Sequence, residues 1–265
     1  MFIDVLIAIF YFLVGLEIKR GLKDFKSAIV PIVAALGGMI FPALIFLAIN
    51  PGSHVWATAM PTDIALAIGV LALLGKRVQS QVRIFLLTLA IADDLFSLIA
   101  LAIFYGDDLH PEKALATLGA AALGAVLPFT KSQLNSSIKV LSPISTYFIV
   151  PVIIAVNIPF NIDLSSFTSR TTIALVLARG IGKIVGIALF AWIATKLGAK
   201  THLHIKEIAG IGALAGMGMT VSLVIAEIAA KSEAELNEVR LGLFISAILS
   251  GLVGYIWLKR TPASQ

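Results

Sequence analysis

Two adjacent aspartates, Asp93 and Asp94, are the residues of this sequence with the clearest capacity for chemistry. They lie in LTLAIADDLFSLI, inside an apolar run from Ile84 to Tyr105 that carries no other charge. A charge at the centre of a membrane-spanning helix costs about 2.5–3.5 kcal/mol, so such residues persist where they bind an ion, pair with another charge or carry a proton. A carboxyl group in a dry cavity can hold a proton near neutral pH. The pair therefore indicates a site for cations or protons within a membrane.

Other ionisable residues in apolar segments could serve as partners of this pair. Asp63 follows Pro61 and Thr62 in MPTDIALAIGVLALLG, and Lys183 lies in ARGIGKIVGIALF. Adjacent helical residues point about 100° apart, so one aspartate can face Lys183 while its neighbour faces a cavity. The alternative is that Lys183 pairs with one aspartate only to hold two helices together, although such a pair needs one carboxylate and three are present. Arg179, one turn before Lys183, is interpreted as a structural residue that reaches toward an interface.

The composition indicates a helical membrane protein. Of the 265 residues, 59% are hydrophobic and 13% charged, and the mean hydropathy is +1.00. Apolar runs of about 20 residues, long enough to cross a hydrocarbon core of about 30 Å as helices, recur along the chain. The period-two alternation of a membrane β-barrel is absent, and so is cysteine, which excludes disulfides within the sequence. We expect an all-α polytopic membrane protein, with residues 1–265 forming a single transmembrane domain.

Nine apolar segments are predicted to span the membrane. They are residues 3–18, 28–49, 57–74, 84–105, 114–129, 141–159, 171–197, 208–229 and 241–258. Most of the 20 lysine and arginine residues fall in alternate loops, and the opposite loops hold only Lys113, Arg170, Lys231 and Arg240. The positive-inside rule then places the N-terminus outside and the C-terminus in the cytoplasm. The net charge of +5 thus reports orientation, and no nucleic-acid partner is expected.

Two of the nine segments contain residues that interrupt helices. In the third, Pro61 removes a backbone donor. The eighth, IAGIGALAGMGMTVSLVIA, carries Gly210, Gly212, Gly216 and Gly218. Close helix packing is the alternative explanation of these glycines, and it is the better one for Gly212 and Gly216 taken alone. A broken backbone around Pro61, Gly216 and Gly218 is tolerated at membrane depth where it lines a cavity.

The interrupted segments occupy equivalent positions in two parts of the chain. Each is the central span of three, in residues 28–105 and in residues 171–258, and the two parts enter the membrane in opposite directions. This pattern is typical of inverted-topology repeats with a binding site at their interface. There, Asp63 could balance exposed N-terminal helix ends, and Lys183 could balance exposed C-terminal ends.

The motifs closely resemble those of the NhaA family of sodium/proton antiporters. The resemblance covers nearly the whole chain and rests on MPTDIALAIGVLALLG, LLTLAIADDLFSLIALAIFY, FYFLVGLEIKRGL, ARGIGKIVGIALF and GIGALAGMGMTVSLVIA. It implies two broken helices that cross at the membrane midplane. It also implies exchange of cytoplasmic Na⁺ for external H⁺, with Li⁺ as an alternative substrate and no cofactor.

The resemblance further implies roles for individual residues. Asp94 would bind the cation or the proton, with Asp93 as second ligand and as partner of Lys183. The Thr62 hydroxyl would lie nearby, and Asp63 with Thr62 would compensate charge.

A second implied group lies at the cytoplasmic mouth. Glu17 and Arg20, in FYFLVGLEIKRGL, would belong to a network that tunes the response to pH.

Departures from the family pattern indicate a shortened member. The helix before FIDVLIAIFYFLVGLEIKRG, the segment that supports dimer contacts, and a helical pair after FYGDDLHPEK have no counterpart here. The family's acidic and histidine cluster is replaced by SIKVLSPIS, with Lys139 and Ser142. Both repeats remain, so the transport core is expected to be intact, whereas the usual pH regulation is not expected and a homodimer is left open.

We therefore expect a secondary transporter of a prokaryotic cytoplasmic membrane, acting in sodium extrusion and pH homeostasis. Its partners would be Na⁺, H⁺ and the lipid bilayer. One alternative is a transport-inactive, reduced family member that serves as a scaffold. Another is an intramembrane aspartyl protease, in which Asp63 would have to be the second catalytic aspartate because the neighbours Asp93 and Asp94 diverge.

Overall fold

All regular secondary structure in the described residues of the computed structural model is helical; these residues are 2–21, 25–75, 78–106, 115–157 and 164–261. The first helices are α1 (Phe2–Gly21), α2 (Phe25–Ile49), a 3₁₀ helix (His54–Ala59), α3 (Ile64–Leu73) and α4 (Ser80–Phe104). They are followed by α5 (Ala120–Val126), α6 (Lys131–Val156), α7 (Arg170–Lys196), α8 (Ile205–Ala215), α9 (Thr220–Ala229) and α10 (Glu233–Arg260).

The chain is a multi-pass membrane protein, but the expected count of nine spans is not confirmed. Among the described residues, six helices are long and apolar enough to cross a membrane, or seven if α8 and α9, bent by 51° at their break, form one span. The predicted fifth span contains only a short apolar helix, Thr117–Val126. The predicted first span, α1, is not among these six helices. It carries charges at both ends, namely Asp4, Glu17, Lys19 and Arg20.

Two helices begin earlier than hydropathy predicts because polar residues cap them. α6 begins at Lys131 rather than at residue 141, since the Gln133 amide donates to Thr130 Oγ1 at 3.3 Å and the Thr130 amide donates to Gln133 Oε1 at 3.0 Å. This reciprocal capping box satisfies amides that the first turn leaves free. α10 begins at Glu233, where the Ser232 hydroxyl accepts a hydrogen bond from the Glu235 amide. Hydropathy locates only the part of a helix that is apolar.

A close backbone contact holds α7 against α2. A Cβ atom on Gly37 would collide with the Gly186 carbonyl oxygen, and a Cβ on Gly186 would collide with that of Gly37. Small residues at such a point let two membrane helices approach each other. Both Arg179 and Lys183, on the same helix, are fully buried.

Candidate functional site

Two interruptions of the helices, residues 60–63 and 216–219, lie against each other inside the protein. The 3₁₀ helix ends before the first and α3 follows it, while α8 and α9 flank the second. The Asp63 amide donates to the Met217 carbonyl oxygen at 2.7 Å. Each break thus supplies a partner to the other, which irregular backbone at membrane depth requires.

Asp63 lies at the N-terminal ends of two helices. It occupies the N-cap position of α3, and its Oδ2 accepts hydrogen bonds from the amide, at 3.2 Å, and the hydroxyl of Thr220, the first residue of α9. Helix N-termini carry partial positive charge, which a carboxylate balances. This is the placement that the expected compensating role of Asp63 requires.

Arg179 meets the C-terminal ends of the two elements that precede the breaks, the 3₁₀ helix and α8. It is fully buried, and its Nε donates to the Gly216 carbonyl oxygen at 3.1 Å. Its Nη1 donates to the Thr58 carbonyl oxygen at 2.6 Å and to Ser222 Oγ at 3.0 Å, while its Nη2 donates to the Pro61 carbonyl oxygen at 2.7 Å. Carbonyl groups at helix C-termini carry partial negative charge and lack intrahelical partners. One guanidinium group therefore donates hydrogen bonds to carbonyl groups at both breaks.

This arrangement corrects two expectations from the sequence. The prediction that Arg179 reaches toward an interface is wrong, because its side chain is fully buried. The terminal carbonyl groups that Lys183 was expected to balance receive their hydrogen bonds from Arg179 instead. A signal was available in the sequence, since residues four apart share a helix face and a buried Lys183 implies an inward Arg179.

Gly218 is required by the close approach of the two breaks. A Cβ atom at this position would collide with Arg179 Nη2 and with the Pro61 carbonyl oxygen. Any larger residue would thus push the guanidinium group away from the first break.

Lys183 and Asp93 form a buried ion pair, as the resemblance implied. Lys183 Nζ lies 2.8 Å from Asp93 Oδ2, and neither side chain is exposed. Lys183 also donates to Thr62 Oγ1 at 3.0 Å, and the Thr62 hydroxyl donates to the Ala215 carbonyl oxygen at 2.9 Å. Thr62 thereby links the ion pair to both breaks.

We predict that this pair is strongly coupled in stability. Removing one partner of a buried pair leaves an uncompensated charge, which costs about 3–5 kcal/mol. Asp93→Asn and Lys183→Ala should each lower the free energy of unfolding in detergent without sodium, and their effects should be non-additive by about 0.5–3 kcal/mol. The measurement is a double-mutant cycle on thermal unfolding.

Asp94→Asn supplies the matched control, because it is the same change at the adjacent residue. Its effect should add independently to that of Lys183→Ala. If Lys183 is coupled to Asp94 rather than to Asp93, the two assigned roles are reversed: Asp94 is the ion-pair partner and Asp93 is the main cation ligand.

Asp94 faces a cavity of about 700 Å³ instead of a basic partner. Its side chain is 3% exposed, and it lines the cavity with Thr62 and Asp63 at the breaks and with Glu17 and Arg20 on α1. These are the residues for which the sequence implied cation binding, charge compensation and a mouth network. The structure brings them to one cavity, while Asp93 and Lys183 lie outside its lining.

The cavity extends toward one end of the protein. On α1 it is lined from Phe10 to Arg20, where that helix nears its end, and on α6 from Asn135, near the beginning of that helix, to Tyr147, past its middle. Lys139, an exposed residue of α6, lies on this side. A cation could thus reach Asp94 from one face of the protein.

Comparison with known proteins gives consistent matches over nearly the whole chain. A family model described as Na⁺/H⁺ antiporter 1 matches residues 1–134 and 114–258. The Na⁺/H⁺ antiporter NhaA 1 of Klebsiella pneumoniae is 34% identical over 318 aligned positions, which cover 97% of this chain and 80% of the relative. The NhaA antiporter of Salmonella arizonae is 33% identical, with 97% and 82% covered. These alignments are longer than the 265-residue chain, so the relatives contain residues that it lacks.

Proposed function

Because the chain belongs to the Na⁺/H⁺ antiporter 1 family, we propose that it exchanges sodium ions for protons across a membrane at a site centred on Asp94. The observation that carries this assignment is the different surroundings of the two aspartates. Asp93 is neutralised by Lys183, whereas Asp94 reaches the cavity without a basic side chain bonded to it among the described residues.

Competition for one carboxylate explains how the site would exchange the two ions. A buried carboxyl group can hold a proton, and its ionised form attracts a cation. Sodium, a hard cation, takes oxygen ligands, which Asp94 supplies first and Asp93 and Thr62 second. If the site opens to one face at a time, binding of one ion requires release of the other. An inward proton gradient then drives sodium out of the cell.

The basic residues support a cytoplasmic position for the cavity mouth. Arg20 and Lys139 line the cavity, and both belong to the segments between predicted spans in which most of the basic residues fall. Placing these loops in the cytoplasm puts the N-terminus outside and makes this an inward-open state of a bacterial inner-membrane protein. Sodium would then leave the cytoplasm through this cavity.

Hydrogen bonds at the breaks support the proposal of inverted repeats. The interrupted elements are central to residues 28–105 and 171–258, and Asp63 bonds to Met217 and Thr220 across them. In this arrangement the two broken helices cross at the membrane midplane, with the ion site beside the crossing.

A transport assay in everted vesicles tests the proposed function. Vesicles from a host that lacks its own sodium/proton antiporters are acidified by respiration, and sodium is then added. Vesicles that contain the protein should lose their pH gradient on addition of NaCl, and LiCl tests the second substrate. Vesicles with the same amount of protein and no sodium-dependent change would favour the transport-inactive scaffold. Cleavage of a membrane-embedded peptide would favour the protease, although Asp63 and Asp93 already have other partners.

We predict a gradual dependence on pH, because Lys139 and Ser142, which line the cavity, stand in the segment where the resemblance implied the family's acidic and histidine cluster. Protons compete with sodium at Asp94, so the apparent KM for sodium should rise as the pH falls. The maximal rate should change smoothly over about pH 6 to 9. Glu17 and Arg20 remain as the candidate mouth network. An all-or-none rise of the maximal rate within about one pH unit would contradict this prediction.

A further inference from the structure

Four buried oxygen atoms on α1 and α4 have no hydrogen-bond partner among the described residues. These atoms are the Tyr11 hydroxyl, Asp93 Oδ1, Asp94 Oδ1 and Ser97 Oγ. The four side chains are at most 3% exposed. Polar atoms buried in a protein are normally paired, since leaving them unpaired costs free energy, and exceptions often mark a site for an ion or water.

Helix geometry brings three of these groups to one place. Ser97 follows Asp94 by three residues and Asp93 by four on α4, and residues at these spacings are neighbours on the surface of a helix. Tyr11 comes from α1, which packs against α4 and whose neighbouring residues Phe10 and Val14 line the cavity that Asp94 faces.

We infer that the Ser97 hydroxyl is a further ligand of the cation bound at Asp94, and that the Tyr11 hydroxyl supplies a second oxygen from α1. This inference rests on the proposed function. Hard cations take several oxygen ligands, more than one carboxylate offers. A hydroxyl adds an oxygen ligand without adding charge. It therefore strengthens binding of sodium without adding a group that takes up a proton when sodium leaves.

The rival explanation gives Ser97 a structural role. A serine in a membrane helix can turn its hydroxyl to the carbonyl group four residues earlier. In that case removal of the hydroxyl would cost stability whether or not sodium is present.

Thermal unfolding of Ser97→Ala in detergent, with and without NaCl, separates the two explanations. Without sodium, the variant should be as stable as the parent protein or more stable, because the change removes an unpaired buried hydroxyl. The rise in Tm caused by sodium should shrink, because stabilisation by a ligand follows its affinity. In vesicles, the apparent KM for sodium should rise about tenfold while the maximal rate is retained.

Two further variants sharpen the comparison. Tyr11→Phe removes only a hydroxyl and should raise the KM for sodium in the same direction. Ser246→Ala is the matched control on α10, where the buried Ser246 hydroxyl donates to the Leu243 carbonyl oxygen at 2.9 Å. It should lower Tm equally with and without sodium and leave the KM unchanged.

The outcomes distinguish failure of this inference from failure of the proposed function. If the parent protein shows neither sodium-dependent exchange nor a sodium-dependent rise in Tm, both are overturned. If the parent shows both effects and Ser97→Ala keeps the parent's KM and Tm shift, only the Ser97 inference is overturned. A Ser97→Ala protein that unfolds, or that loses Tm equally in both conditions, also overturns it, because an unpaired hydroxyl cannot be needed for folding.

Discussion

Replacing Asp94 by asparagine should abolish sodium-dependent proton release from vesicles while leaving the folded protein in the membrane. The change keeps the shape of the side chain but removes both the negative charge and the group that carries the proton. Two unit charges about 4 Å apart interact by about 4 kcal/mol at an effective dielectric constant of about 20. Loss of that attraction corresponds to about a thousandfold weaker binding of sodium.

The control for this experiment is Asp4→Asn, the same substitution at an exposed position near the start of α1. It should leave exchange unchanged. Expression and thermal unfolding of both variants must be measured beside transport, so that loss of protein is not read as loss of exchange. Exchange by Asp94→Asn at the parent's rate would refute the assignment of the site to this residue.

Replacing Arg179 by methionine should destabilise the protein more than any surface substitution. Methionine is also long and unbranched, but it cannot donate to the carbonyl oxygens of Thr58, Pro61 and Gly216. Each carbonyl group left without a partner costs about 1–3 kcal/mol, so we expect the free energy of unfolding to fall by at least about 3 kcal/mol. Arg179→Lys keeps the positive charge but loses the planar fork of donors, and it should recover only part of this loss.

Arg240→Met is the matched control for this comparison. Arg240 is half-buried on α10 and donates to Asn157 Oδ1 at 3.0 Å, away from either break. Its loss should cost much less in thermal unfolding. If Arg179→Met unfolds like Arg240→Met, or if lysine at position 179 is as good as arginine, the guanidinium group does not hold the breaks together.

The sequence predicted the ion pair and the breaks because the relevant signals are local or costly. Asp93, Asp94 and Lys183 lie in apolar runs, where an unpaired charge is expensive, so an ion pair between Lys183 and one of the aspartates is expected, and the choice of Asp93 followed from the family resemblance. Pro61 and Gly218 mark backbone that cannot continue a regular helix or that must approach another chain segment closely.

Other features depend on three-dimensional placement and escaped prediction. The Arg179 side chain is long enough to reach either the membrane interface or the protein interior. Only the positions of both breaks show which carbonyl groups accept its hydrogen bonds. The orphan hydroxyl of Ser97 resembles any small polar residue of a membrane helix until its missing partner is seen. The start of α6 was readable from Thr130 and Gln133, but a search for apolar runs passes over such polar caps.

The hydrogen bonds between residues 60–63 and 216–219 also limit the mechanics of the protein. Pulling the two breaks apart would strip partners from main-chain groups where no water replaces them, and Arg179 would lose its acceptors at the same time. The two breaks and Arg179 are therefore expected to move as one rigid body. If the protein alternates its access as proposed, the motion should occur at the surface that this body shares with α1 and α6 across the cavity.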